Sequence, residues 1–195
     1  MAFTYELARF IAFRDLAECE RVRQIPSEQI TQHANPDFKI RVVADLGEFY
    51  AAFATDIVSR VRQALDEGQR FVGIFPVGPM PQYPIAAEMI NRLRIPMHHV
   101  HTFNMDEYAD QDGNTAPADW AGSFQKAMME QFFLKIDPHL RPPREQIHFP
   151  TKKNITDYGK MIADMIPRAK LFQNLSIDKE LKIPVLNFLQ RIIAS

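Results

Sequence analysis

What most constrains this chain is an alternation. Between Lys39 and Met165, short β-branched or aromatic runs take turns with stretches whose apolar residues recur at helical spacing. Lys39–Val43 (KIRVV), Arg70–Phe75 (RFVGIF), His98–Phe103 (HHVHTF) and Gln146–Phe149 read as strands. After the first of them, Leu46, Phe49, Tyr50, Phe53, Ile57, Val58, Val61 and Leu65 fall on one helical stripe. Asp45, with Glu48 three residues on, predicts the start of that helix, and Gly68 stands where a left-handed cap would end it. Ile85–Leu93, Trp120–Leu134 and Ile155–Met165 read as three further helices. Strands alternating with helices imply βαβ units and a parallel sheet, so the expected fold class is an α/β sandwich.

The two ends lie outside this pattern. Phe3–Arg23 carries Phe3, Leu7, Phe10 and Ile11 at helical spacing, and Ile25–Pro36 is polar and broken by proline. Residues 1–36 are therefore an N-terminal helical extension and linker, 37–165 the α/β domain, and 166–195 a C-terminal tail. In that tail Leu181, Val185, Leu186, Leu189, Ile192 and Ile193 form an amphipathic segment, expected to cover the sheet in preference to docking on another chain.

Composition narrows the partners. The 195 residues are 46% hydrophobic and 24% charged, ordinary values for a globular chain. Lys plus Arg number 23 against 24 Asp plus Glu, a net charge of −1, which leaves no electrostatic footprint for nucleic acid or an anionic membrane surface. The single cysteine, Cys19, excludes an internal disulfide and a Cys-cluster zinc site, and the flanking Glu18 and Glu20 argue against a reactive thiol. No apolar run is long enough to span a bilayer and the N-terminus has no export signal, so a cytoplasmic location is expected.

In open parallel sheets, ligands bind outside the carboxyl ends of the strands. Two loops qualify: Pro76–Pro81 after the second strand, and Asn104-Met105-Asp106-Glu107-Tyr108 after the third. Two adjacent carboxylates at a strand end offer a general base, whose proton affinity a cleft made by Phe103, Met105 and Tyr108 would raise. An ordinary solvated acidic turn is the alternative for such a pair taken alone. His99 and His101 on one strand face match no standard metal spacing. Asp110, Asp112 and Asn114 hint at a calcium loop, but Gly and a distal Glu are misplaced for one. Met128-Met129 and Phe132-Phe133 read as core packing. No metal and no cofactor is expected.

The octapeptide His101-Thr102-Phe103-Asn104-Met105-Asp106-Glu107-Tyr108 resembles the TFNMDEY signature of glucosamine-6-phosphate deaminases, also called isomerases. Ser123-Phe124, Met128 and Phe132-Phe133 are similar to the helix that follows it in that family, and Ile136-Asp137-Pro138 and Ile147 continue the match. The resemblance covers about Lys39 to Met165. It implies a Rossmann-like parallel sheet sandwiched by helices, and conversion of an amino-sugar phosphate to a ketose phosphate plus ammonia, without a redox cofactor. It also implies that Asp106 moves the C2 proton during the aldose–ketose step, with Glu107 beside it shaping the site. Gly78, Pro79, Met80 and Asn104 would be substrate-binding, the partner a small sugar phosphate, and a homo-oligomer is left open.

Two departures from the family pattern are plain. Its phosphate turn, Gly-Ser/Gly-Thr-Pro, here reads Gly78-Pro79-Met80-Pro81, which removes one N–H donor and one hydroxyl. The Asp-Gly-His segment that carries the ring-opening His is not found in these residues, so the expectation is a chain truncated before it. A non-catalytic sugar-phosphate-binding module, and a related sugar-phosphate isomerase or lactonase, are the alternative readings.

Overall fold

A computed structural model describes residues 15–166, which fall in two compact units divided between Val43 and Ala44. Of the predicted helix Phe3–Arg23 only the part from Asp15 on is described, and the amphipathic tail lies outside the described residues.

In the first unit, α1 (Leu16–Arg23) is capped by Asp15, whose side chain accepts from the Glu18 N–H at 2.9 Å. It buries none of its residues, and Cys19 is exposed. Lys39–Val43 is not a strand. Its β-branched residues favour extension, but no neighbouring strand pairs with it among the described residues, and Val42 is 62% exposed. Propensity without a partner strand does not make a strand.

The second unit carries the alternation. Helix α2 (Leu46–Asp66) starts where Asp45 accepts from the Glu48 N–H at 2.7 Å. It ends at Gly68 (φ 61°), with the Gly68 and Gln69 N–H groups donating to the Leu65 and Ala64 carbonyls. That closing pair needs a left-handed residue, which glycine supplies without a Cβ clash. Strand β1 (Phe71–Phe75) follows, then α3 (Gln82–Leu93) and β2 (Val100–Asn104). Helix α3 begins earlier than Ile85 because Pro84 occupies its third position, where an N–H has no partner within the helix. Helix α4 (Phe124–Gln131), β3 (Ile147–His148) and α5 (Tyr158–Met165) complete the order. Helix α4 is shorter than Trp120–Leu134 because Ser123 caps it at one end, while Phe132 leaves helical dihedrals at the other.

The strands form a parallel sheet in the order β1-β2-β3, with Phe75 level with Asn104 and Phe103 level with His148. One face (Phe75, Val100, Ile147) joins Ile57, Val61, Tyr83, Ile90, Met128 and Phe132 in a continuous core. Each such side chain contributes about 1.5–3 kcal/mol on burial. On the other face Phe103 stacks against His148, with ring centroids 4.4 Å apart, and meets Tyr158 of α5 edge-on. The architecture is a Rossmann-like parallel sheet flanked by helices, as expected.

Candidate active site

The strand register decides which loops meet. Because Phe75 and Asn104 end β1 and β2 at the same level, loops 76–81 and 104–108 leave the same edge of the sheet side by side. The Met105 N–H donates to the Phe75 carbonyl at 3.0 Å, carrying the pairing one step past the strands.

Loop 76–81 is held from α3. The buried Tyr83 hydroxyl donates to the Pro76 carbonyl at 2.5 Å, and the buried Gln82 amide donates to the Pro79 carbonyl. The Gly78–Pro79 peptide is cis. With prolines at 76, 79 and 81, the loop has only three N–H groups, those of Val77, Gly78 and Met80, and none donates to another protein group. Gly78 is exposed, with nothing within 4 Å of the place a Cβ would take, so a ligand has room to reach its backbone.

The loop after β2 separates its two carboxylates into different roles. Glu107 is fully engaged. It accepts from the Tyr108 N–H (2.9 Å), the Phe124 N–H (2.9 Å), the Gln125 N–H (2.8 Å) and the Ser123 hydroxyl (3.0 Å). Ser123 itself accepts from the Lys126 N–H at 3.2 Å. The Glu107 carboxylate thus sits on the first turn of α4, where unpaired amides and the helix dipole favour negative charge. Asp106, one residue earlier, accepts no hydrogen bond through its side chain and is exposed. Loss of part of its hydration raises its carboxyl above the ordinary range, and the charge of Glu107 raises it further.

The cleft expected around Asp106 is not formed by the residues named for it. Phe103 is buried against His148 and Tyr158, while Met105 and Tyr108 are exposed. Tyr108 instead packs against Phe124 and Trp120, with centroids 4.7 and 5.6 Å away. Asn104 is buried and donates to the Asp106 carbonyl at 3.5 Å, while its own carbonyl accepts from Tyr158 at 3.0 Å. Asn104 therefore shapes the loop's backbone.

The structure brings Asp106, Glu107 and Asn104 together on one loop and places Gly78, Pro79 and Met80 on its neighbour. Sequence reasoning missed the links from Glu107 to Ser123 and from Asn104 to Tyr158. A Ser opening the helix was a legible cap signal, but nothing along the chain says which carboxylate would share that cap. At the turn Asp110–Asn114, the Lys152 ammonium donates to the Asp112 carbonyl (3.0 Å) and to Asn114 Oδ1 (2.9 Å). Among the described residues, no three His, Cys, Asp or Glu side chains gather to hold a metal ion, and no helix is long and apolar enough to cross a membrane.

The structure is thus a Rossmann-like parallel sheet that carries two adjacent carboxylates, Asp106 and Glu107, on a loop at its carboxyl edge. More particularly, the chain resembles the glucosamine-6-phosphate deaminases. It is 33% identical over 94 residues to the glucosamine-6-phosphate deaminase of Caenorhabditis elegans, a match covering 47% of this chain and 32% of that protein. The fold is shared with the solved structure of a monomeric glucosamine-6-phosphate deaminase described as a missing link of the NagB superfamily. There the TM-score is 0.54 at 16% identity, over 65% of this chain and 51% of the other. A 6-phosphogluconolactonase from Thermotoga maritima aligns at TM-score 0.46 and 22% identity, over 60% and 51%. No family model matches the chain. It spans about a third of the length of the curated relative and about half that of the solved structures.

Proposed function

We propose that this chain carries part of an amino-sugar-phosphate deaminase/isomerase site. In this reading the substrate is glucosamine 6-phosphate, and the products are a ketose phosphate and ammonia, with water consumed. Asp106 takes the proton from C2 and returns it to C1 through an enediol-like intermediate. The N–H groups of Val77, Gly78 and Met80 are the donors offered to the phosphate end. One observation carries the assignment. Of two adjacent carboxylates at the sheet's carboxyl edge, Glu107 has four donors, whereas Asp106 has none and has its proton affinity raised. A base that exchanges a proton with carbon needs that freedom and that shift.

A second reading, a sugar-phosphate-binding module without turnover, is favoured by Pro79 and Met80, which reduce the donors of the phosphate loop. One experiment separates the two. Ammonia release from glucosamine 6-phosphate is measured for the full chain and for Asp106→Asn, with binding followed by calorimetry. Turnover that falls by about a hundredfold or more in Asp106→Asn, with binding retained, supports the base. Binding without turnover in the parent chain supports the module, and absence of binding removes both.

A further inference from the structure

Two adjoining open clefts lie at the opposite edge of the sheet, where β1 and β2 begin. The larger, about 440 Å³, is lined by Gln69, Arg70, His98, His99, His101 and Gln146, together with Leu65 and Gly68. A smaller hollow of about 280 Å³ shares Leu65, His98 and His99 and adds Pro96, so its walls are more apolar. The five-residue strands put this edge about 15 Å from the loops of the candidate active site.

The charge of the larger cleft is one-sided. Arg70 is the one Lys or Arg among its lining residues, and no Asp or Glu lines it. The acids that end α2 are already engaged: Asp66 pairs with Arg62 at 2.8 Å, and Glu67 accepts from the Gln63 amide at 2.7 Å. Arg70 has no carboxylate partner among the described residues; its one side-chain contact is with the Met165 sulfur at 3.7 Å, a weak acceptor. A guanidinium presents five donors in a planar fork suited to phosphate or carboxylate, and here that fork meets no oxygen acceptor among the described residues.

The walls are built rather than loose. The His99 ring is fixed by Nε2, which bonds the Val61 carbonyl of α2 at 2.9 Å, and the His101 ring lies 3.2 Å from the Gln146 amide through its own Nε2. His99 Nδ1, His101 Nδ1 and Gln146 Oε1 are buried without a protein partner. Polar atoms left so in a folded protein are normally met by ordered water or by a ligand.

From this juxtaposition of an unpaired Arg70, three histidines, two amides and an adjoining apolar hollow, we propose a second binding site at the amino edge of the sheet for a small organic phosphate. The phosphate sits on Arg70, with His101 Nδ1–H, left as a donor because Nε2 accepts from the Gln146 amide, and the Gln69 side-chain amide as further donors, and the organic part occupies the hollow by Leu65 and Pro96. This site is separate from the proposed active site and stands whether or not Asp106 is a base.

The test is a titration of the full chain with inorganic phosphate, then with phenyl phosphate, at constant ionic strength set by chloride, followed by NMR of the histidine rings and arginine side chains. Saturable shifts of His98, His99, His101 and Arg70 are expected. Affinity should fall about tenfold or more in Arg70→Gln, and should be unchanged in Asp106→Asn. Phenyl phosphate should bind more tightly than phosphate, because it also fills the hollow. Shifts that follow chloride alone, or that persist undiminished in Arg70→Gln, overturn the site. Equal affinity for the two probes overturns the role of the hollow. Because Arg70 is exposed, its substitution leaves the core intact, and unchanged backbone spectra of the variant verify this.

Discussion

The two loops at the carboxyl edge leave neighbouring strands at the same level, yet each is held by a different kind of bond. Loop 76–81 is fixed through its carbonyls, by neutral donors from the helix that follows it directly. Loop 104–108 is fixed through a charged side chain, Glu107, which reaches across sixteen to eighteen residues to the start of α4. A carbonyl-held loop keeps its amides turned outward and offers backbone to a ligand. A carboxylate-held loop has one acid committed to the fold, and the acid beside it is thereby left exposed in a defined place. The two loops thus have separate supports in this fold.

If that division is right, the largest effect comes from removing the charged anchor. Glu107→Ala deletes the acceptor for four donors, three of them backbone amides, and two of those, of Phe124 and Gln125, then lose their partner at the head of α4. Losing a helix cap costs about 1 kcal/mol, and hydrogen bonds to charged groups are worth more than neutral ones, so a destabilisation of about 2–4 kcal/mol is expected. Urea denaturation of the full chain measures it, and a Tm lower by roughly 10 °C should accompany it. A loss under about 0.5 kcal/mol would mean that Ser123 alone caps the helix and that Glu107 is free for chemistry.

Much of this fold was legible because its signals are local. Asp45 and Gly68 bracket α2 through hydrogen bonds that span three to five residues, and the apolar stripe between them needs only its own period. The β1 and β2 segments were readable as strands for the same reason. Lys39–Val43 carries the same composition and is not a strand, because a strand is defined by a neighbour that its own residues do not specify. The site divides along the same line. Asp106 and Gly78 could be named from their place at strand ends and from the resemblance of the octapeptide. That Glu107 is bound to Ser123, that Phe103 turns to the far face and that Arg70 stands beside three histidines are contacts between distant residues. Only the folded chain brings them together.

The neutral anchor should matter less. Tyr83→Phe keeps the buried ring against Phe75 and Phe132, with centroids 6.0 and 5.4 Å away, and removes only the hydroxyl donating to Pro76. Burial holds that phenol's pKa above its ordinary range, so it stays a neutral donor throughout the accessible pH range. One neutral hydrogen bond is worth about 1 kcal/mol, which urea denaturation resolves. A cost matching that of Glu107→Ala would erase the distinction between the two loops, and a cost near zero would mean that the Gln82 amide holds loop 76–81 by itself.

The smallest effect, and the one whose sign matters most, concerns Asp106. Its carboxyl is raised in the folded chain above the ordinary 3.8, so the fold favours the protonated acid. The stability associated with that preference is fully present below pH 3.8 and is lost as pH rises through the raised value. Asp106→Asn removes this titration. The variant should match the parent in strongly acidic solution and become slightly more stable than it as pH increases to neutrality. Because the side chain is exposed, the gain stays within about 0.5 kcal/mol, a Tm higher by roughly 1–2 °C. Thermal unfolding of both chains between pH 3 and 8 reads the difference directly. A destabilised Asp106→Asn at neutral pH would make Asp106 a second anchor like Glu107. A stabilised one marks a carboxylate kept at the sheet edge against the preference of the fold, as a residue serving chemistry is expected to be.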